Sequence, residues 1–312
     1  MTNGDRPPEL QAILDDLERG EPFASIEDAQ RAMDAQMRGY NSRPQADLGG
    51  LSPIQMYALL YGDWKSTGAL RLDERLTLDD LAGAAILTDA RTLLEYVRDE
   101  GAVKETAARY LPPAAVIALL PGLRMLLEPG ISRNHLFKTP SREGEVPWLL
   151  ELREIMTFGK LLVRRKGVRL TTLGRALLPP ERAGELYAHL FRTFFRKFNL
   201  SVLDGASLNA GLQGTLAYSF YMLRSTAREW KSPVELTQSS WLESAKDPLD
   251  EWELTSRDRR YIPFKCRVLD PLVQFGLLEI RPQKKDNDLR WDSEYRCSPL
   301  YARFLRFEFG GS

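Results

Sequence analysis

Trp148–Pro180, WLLELREIMTFGKLLVRRKGVRLTTLGRALLPP, is the stretch on which the fold turns. It reads as a helix that breaks at Gly159, a short strand, a basic turn, a second strand and another helix. Arg165-Lys166-Gly167 is the turn, and its glycine supplies the positive φ that a tight hairpin needs.

The same grammar is expected before and after this stretch. Aligning residue n with n + 66 over 97–113 gives seven identities without a gap, among them Val97 with Val163, Gly101 with Gly167 and Pro113 with Pro179. Asp99-Glu100-Gly101 is then expected to be an earlier, acidic hairpin. A looser copy lies near the C-terminus, where Phe275-Gly276-Leu277-Leu278 echoes Phe158-Gly159-Lys160-Leu161 and Cys297-Ser298-Pro299-Leu300 stands for Leu170-Thr171-Thr172-Leu173. Its turn, from Pro282 to Asp288, is longer and charged.

Elsewhere the start signals are local. Ser25-Ile26-Glu27-Asp28 predicts a helix over 26–38, in an opening segment with nine acidic and three basic residues up to Ala35. Ser52-Pro53-Ile54-Gln55 and Ser232-Pro233-Val234-Glu235 both place a capping serine, a proline at the first helical position and a side chain able to reach back to the cap. Three short helices are expected over 53–96, the second opened by Thr77 with Asp80 and the third near Thr88. Long amphipathic helices are expected over 181–199 and 207–230. The first carries Leu186, Leu190, Phe194 and Phe198 every four residues, beside Tyr187, Phe191 and Phe195, a stripe that belongs in a core. Pro271 should kink or split a helix over 263–275.

A helix followed by Gly159-Lys160-Leu161-Leu162, two strands and Leu170-Thr171-Thr172-Leu173-Gly174-Arg175 resembles the second half of a winged-helix module. Gly50 to Met56, with the repeated hairpin units, is similar to segments of uncharacterised bacterial proteins, and that similarity implies no activity. The winged-helix resemblance implies a mainly α chain with small β-hairpins, in two or three winged-helix-like units joined by long helices. Residues 1–48 would be an N-terminal helical arm and linker, and 49–145 the first unit. Residues 146–231 would hold the second unit with its long helices, and 232–312 the third. It also implies DNA binding, or a protein-docking role in those members that have lost it.

Composition narrows the choices. The 312 residues carry 43 basic and 43 acidic side chains, so any nucleic acid must be held by a local patch. No basic region followed by an apolar run marks a signal peptide, and no apolar run is long enough to span a bilayer, so a cytoplasmic protein without membrane contact is expected. Cys266 and Cys297 read as free thiols that fill core space. His135 and His189 have no metal-ligand or triad company in the sequence, Gly205-Ala206-Ser207-Leu208-Asn209 misses the nucleophile elbow at its last position, and no phosphate-binding glycine loop occurs. A non-catalytic protein without a cofactor is therefore expected.

The patch is predicted on the basic hairpin, where residues 160–175 hold six cations and no acid. Lys160, Arg164, Arg165, Lys166 and Arg169 are the candidates for DNA or RNA backbone contact there, with Arg281, Lys284, Lys285 and Arg290 in the C-terminal copy. Glu151 and Glu154, beside Arg153 on the preceding helix, would repel phosphate. The alternative is an interaction scaffold for a protein partner or a homodimer, in which acidic and basic hairpins pair.

Overall fold

The computed structural model describes residues 25–124, 141–205, 210–245, 261–282 and 293–309. The chain divides into two compact units, the first reaching Ala58 and the second running from Leu59 to Phe309. In the first, α1 (Ile26–Ser42) is capped by Ser25, whose hydroxyl accepts from the Asp28 amide, and it runs four residues past the expected end. At the start of α2 (Pro53–Tyr61), Gln55 accepts from the Ser52 amide at 3.0 Å, as the cap signal predicts.

The second unit is mainly helical, with small antiparallel strand pairs. Its strand β1 (Leu70–Leu72) pairs with β6 (Leu305–Phe307), which joins the early and late parts of this unit. This strand and a turn replace the second of the three helices expected over 53–96. Thr77 and Asp80 do bond each other reciprocally, but they close a turn that stops short of a helix.

Two arrangements of like topology follow. The first consists of α3 (Ala85–Glu100), an isolated bridge at Val103, α4 (Pro113–Leu119), α5 (Pro147–Phe158), β2 (Leu162–Arg164), β3 (Val168–Leu170) and α6 (Thr172–Leu177). Val103 pairs with Val168, so the order across the small sheet is Val103, β3, β2. Next come α7 (Ala183–Arg196) and α8 (Ala210–Gly214). The second arrangement then runs α9 (Leu216–Thr226), a bridge at Lys231, α10 (Pro233–Ser240), α11 (Ile262–Phe264), a π-helical turn (Lys265–Leu269), α12 (Asp270–Gln274), β4 (Leu278–Pro282), β5 (Ser293–Cys297) and α13 (Pro299–Phe304). Lys231 pairs with Tyr295 on β5 as Val103 pairs with Val168 on β3.

Individual hydrogen bonds repeat as well. The Leu161 amide donates to Met156 and the Leu277 amide to Leu272; the Thr171 amide donates to Leu161 and the Ser298 amide to Leu277. The hydroxyls of Thr171 and Ser298 each donate, at 2.6 Å, to the carbonyls of Lys160 and Gly276. Both carbonyl-bearing residues have positive φ, +57° and +70°. These bonds follow the same order in 85–177 and in 216–304, with Gly276 standing where Lys160 stands, one place off the alignment read from the sequence.

The earlier, acidic hairpin does not exist. Apolar residues keep helical spacing through Leu93, Leu94 and Val97, so α3 continues through Asp99 and Glu100 until Gly101, at φ +68°, ends it. Val97 is helical while Val163 is extended, and the n + 66 identities do not mark a structural repeat. The expected cuts after 145 and 231 fall inside the two arrangements. Two other expectations change in detail. The helix expected over 207–230 breaks at Thr215, between α8 and α9. Pro271 lacks an amide and crowds the preceding turn, and the wider π-helical turn immediately before it splits the helix as expected.

Helix α7 is the hub. Phe191 lies 5.2 to 5.9 Å, centroid to centroid, from Trp64, Phe220, Phe275 and Phe304. Tyr187, Phe191, Phe194 and Phe195 are buried, each contributing about 1.5–3 kcal/mol by removal from water. The Tyr187 hydroxyl donates to the Phe275 carbonyl and that of Tyr301 to Phe220, which gives the deeply buried phenols partners. This core holds the first hairpin in place.

Candidate nucleic-acid interface

A three-residue loop, Arg165-Lys166-Gly167, joins β2 and β3, with Lys166 at φ +54° and Gly167 at +102°. A Cβ on Gly167 would lie 2.8 Å from the Val103 carbonyl, so the bridge at Val103 requires glycine there. Register puts Val163 directly opposite Arg169 on the outward face, while Leu162, Leu170 and Val168 point inward and are buried.

The five basic candidates here separate into two groups. Lys160, Arg165, Lys166 and Arg169 are exposed and form no ion pair with any described residue. Arg164 is diverted inward. Its guanidinium donates to Glu105 at 2.8 Å, to Glu154 at 3.0 Å and to the Arg109 carbonyl at 3.0 Å. Its charge is spent on carboxylates of its own chain.

Those carboxylates belong to a buried frame. Arg153, 1% exposed, donates to Glu143 at 2.7 Å and to Glu105 at 3.1 Å. Glu143, fully buried, also accepts from the Leu111 amide at 2.8 Å. The frame ties α5, β2 and the 105–111 loop together, fixing the base of the hairpin while leaving its tip in solvent. Sequence reading put Arg153 on an exposed face with Glu151 and Glu154. The signal against that was present, because Leu149, Leu152, Arg153 and Met156 fall on one helical stripe and all four are buried.

The second hairpin differs. Arg281 pairs with Glu294, which faces it on the neighbouring strand, and Arg296 pairs with Glu279 at 2.6 Å. Both guanidiniums also lie over the Trp230 ring, at 4.8 and 4.7 Å from its centroid. This outward face is neutralised by its own strands, a pairing missed because Arg281 lies 13 residues from Glu294, and Arg296 17 residues from Glu279, in sequence. Lys284, Lys285 and Arg290 lie outside the described residues. The two basic side chains at the start of the preceding helical run are also committed: Lys265 to Asp270 at 2.8 Å and Arg267 to Asp204 at 2.8 Å, the latter pair 2% and 3% exposed.

Other expected features take simpler roles. His189 is half-buried, and its Nε2 lies 2.6 Å from the Gly159 carbonyl. Burial, followed by the neighbouring Arg192 and Lys197, holds its pKa below the usual histidine range, while that carbonyl bond and Glu74 oppose the shift. His135 and residues 206–209 of the elbow-like stretch lie outside the described residues. Neither cysteine forms a disulfide, and burial raises the Cys297 thiol to about 12. Among the described residues no cluster of histidine, cysteine or carboxylate could hold a metal ion, and no helix is long and apolar enough to cross a membrane.

Comparison with family models, with curated proteins and with solved structures gives no match.

Proposed function

We propose that residues 85–177 and 216–304 are two winged-helix units in tandem, and that the chain is a non-catalytic binding protein that holds a nucleic-acid backbone on the first wing. In each unit the order helix, bridge strand, helix, helix, hairpin is that of a winged helix, with the bridge strand beside the second hairpin strand. The observation that carries the binding role is the contrast between the hairpins. Lys160, Arg165, Lys166 and Arg169 keep their charges toward solvent with no carboxylate partner among the described residues, whereas Arg281 and Arg296 of the second hairpin are paired. A cluster of like charges in a chain of zero net charge is the footprint of a polyanion site.

The test is retention of a labelled nucleic acid by the full chain as salt is raised. With about four phosphate contacts the affinity should fall by roughly 0.7–0.9 decades per contact for each decade of salt. The variant Arg165→Glu/Lys166→Glu/Arg169→Glu should abolish binding without changing the melting temperature. Arg164 is left intact, since its replacement would break the buried frame. No retention by the unaltered chain at low salt and micromolar protein would refute the reading.

One observation favours a protein-docking role instead: α5 and the 262–274 run are packed inward, so neither offers a basic face to a groove. A protein partner would stay bound in moderate salt and would be indifferent to the triple Glu variant.

A further inference from the structure

We infer that the strand held by the first wing is single-stranded, a conclusion that rests on the nucleic-acid reading above and narrows its substrate class. Duplex recognition by a winged helix needs a side-chain-bearing helix in the major groove. Here α5 turns Trp148, Leu149, Leu152, Arg153, Ile155 and Met156 inward. Its half-exposed Glu154 carries a negative charge already engaged by Arg164. In the second unit, Lys265 and Arg267 are buried against carboxylates. A duplex would therefore meet only the wing tip and one line of phosphates.

Exposed apolar side chains lie near the cations in the chain and across the hairpin. Phe158, 54% exposed, ends α5 two residues before Lys160. The Lys160 carbonyl accepts the Thr171 hydroxyl, which fixes the start of α6 alongside it, and Leu173 on that helix is 39% exposed. Val163, 40% exposed, stands opposite Arg169 in the hairpin. Exposed apolar side chains thus stand beside cations at two places, Phe158 next to Lys160 along the chain and Val163 opposite Arg169 across the hairpin, with Leu173 at the start of α6. A duplex shows such a surface only phosphate and sugar, and the apolar groups gain nothing. An unpaired strand presents base faces as well, which can stack on the Phe158 ring and lie over Val163 and Leu173 while its phosphates meet the lysine and arginines. The Phe158 ring is steadied edge-on against Phe198, at 6.4 Å, which lowers the entropy lost on stacking.

Fluorescence anisotropy on the full chain, with mixed-sequence single strands of about 12 nucleotides and a duplex of equal length, tests this. Single strands should bind at least about tenfold more tightly than the duplex. Phe158→Ala should weaken single-strand binding by roughly five- to a hundredfold, the range of one lost base stack, and leave duplex binding unchanged. Phe158→Tyr keeps the ring and should restore it, which separates loss of stacking from loss of folding. Equal or tighter duplex binding overturns the inference and leaves the nucleic-acid reading standing, as does a Phe158→Ala effect that is the same on both probes. Binding of neither probe at low salt overturns both.

Discussion

Arg153 donates to Glu143 across 2.7 Å at a place where neither side chain meets solvent. The pair is the centre of the frame on which the first hairpin stands. Breaking it leaves one charge buried without its counterpart, a change that costs about 3–5 kcal/mol. Arg153→Met should therefore lower the free energy of unfolding by that order, read from urea denaturation. Glu143→Gln should cost less, because an amide oxygen can still accept from the Leu111 amide. A loss below about 1 kcal/mol for Arg153→Met would show the frame to be dispensable.

The close packing of α7 rests on a glycine. A Cβ on Gly184 would lie 2.4 Å from the Glu74 carbonyl oxygen and 2.7 Å from that of Leu76, both of them backbone atoms that cannot step aside cheaply. Gly184→Ala should destabilise the fold by about 1–3 kcal/mol. Gly83→Ala, where nothing lies within 4 Å, is the control and should leave the melting temperature within a degree or two.

Acid should loosen the packing of α7 on α5. The pKa of His189 is lowered in the fold from 6.5, so the unfolded chain binds the proton more readily. This contribution is fully present above about pH 6.5 and is lost as pH falls toward the folded-state value. Denaturation midpoints at pH 7.5 and 5.5 should differ for the unaltered chain, and the difference should shrink in His189→Gln. An identical pH dependence in the two proteins would assign the effect elsewhere.

The equivalence of Thr171 and Ser298 predicts a matched pair of local effects. Thr171→Val and Ser298→Ala each remove a hydroxyl donated to the carbonyl at the base of a hairpin, worth about 1 kcal/mol. Hydrogen exchange should quicken in the 162–170 hairpin for the first variant and in the 278–297 hairpin for the second. Protection lost equally in both hairpins by either change would deny that the two arrangements are separate elements.

Much of the local structure was legible because its causes are local. Ser52 with Gln55 and Ser232 with Glu235 cap their helices as spelled, Gly167 turns the first hairpin, and Pro271 splits its helix. The aromatic stripe of α7 reads as core and is core. The gapless likeness of 97–113 to 163–179 misled, since the first stretch continues a helix where the second holds a hairpin.

Periodicity, capping residues and turn glycines thus determined most of the helices and the turn of the first hairpin, which depend on residues within about four positions, while β1, which needs β6 as its partner, was not legible from them. Which charges remain available depended on distant partners, and only the folded chain decided it. Arg164 meets Glu105 across 59 residues of sequence, and Val103 reaches Val168 across 65, through packing that no short-range pattern encodes. The same physics separates the two hairpins: alike in their basic residues, they differ in whether a carboxylate stands on the facing strand.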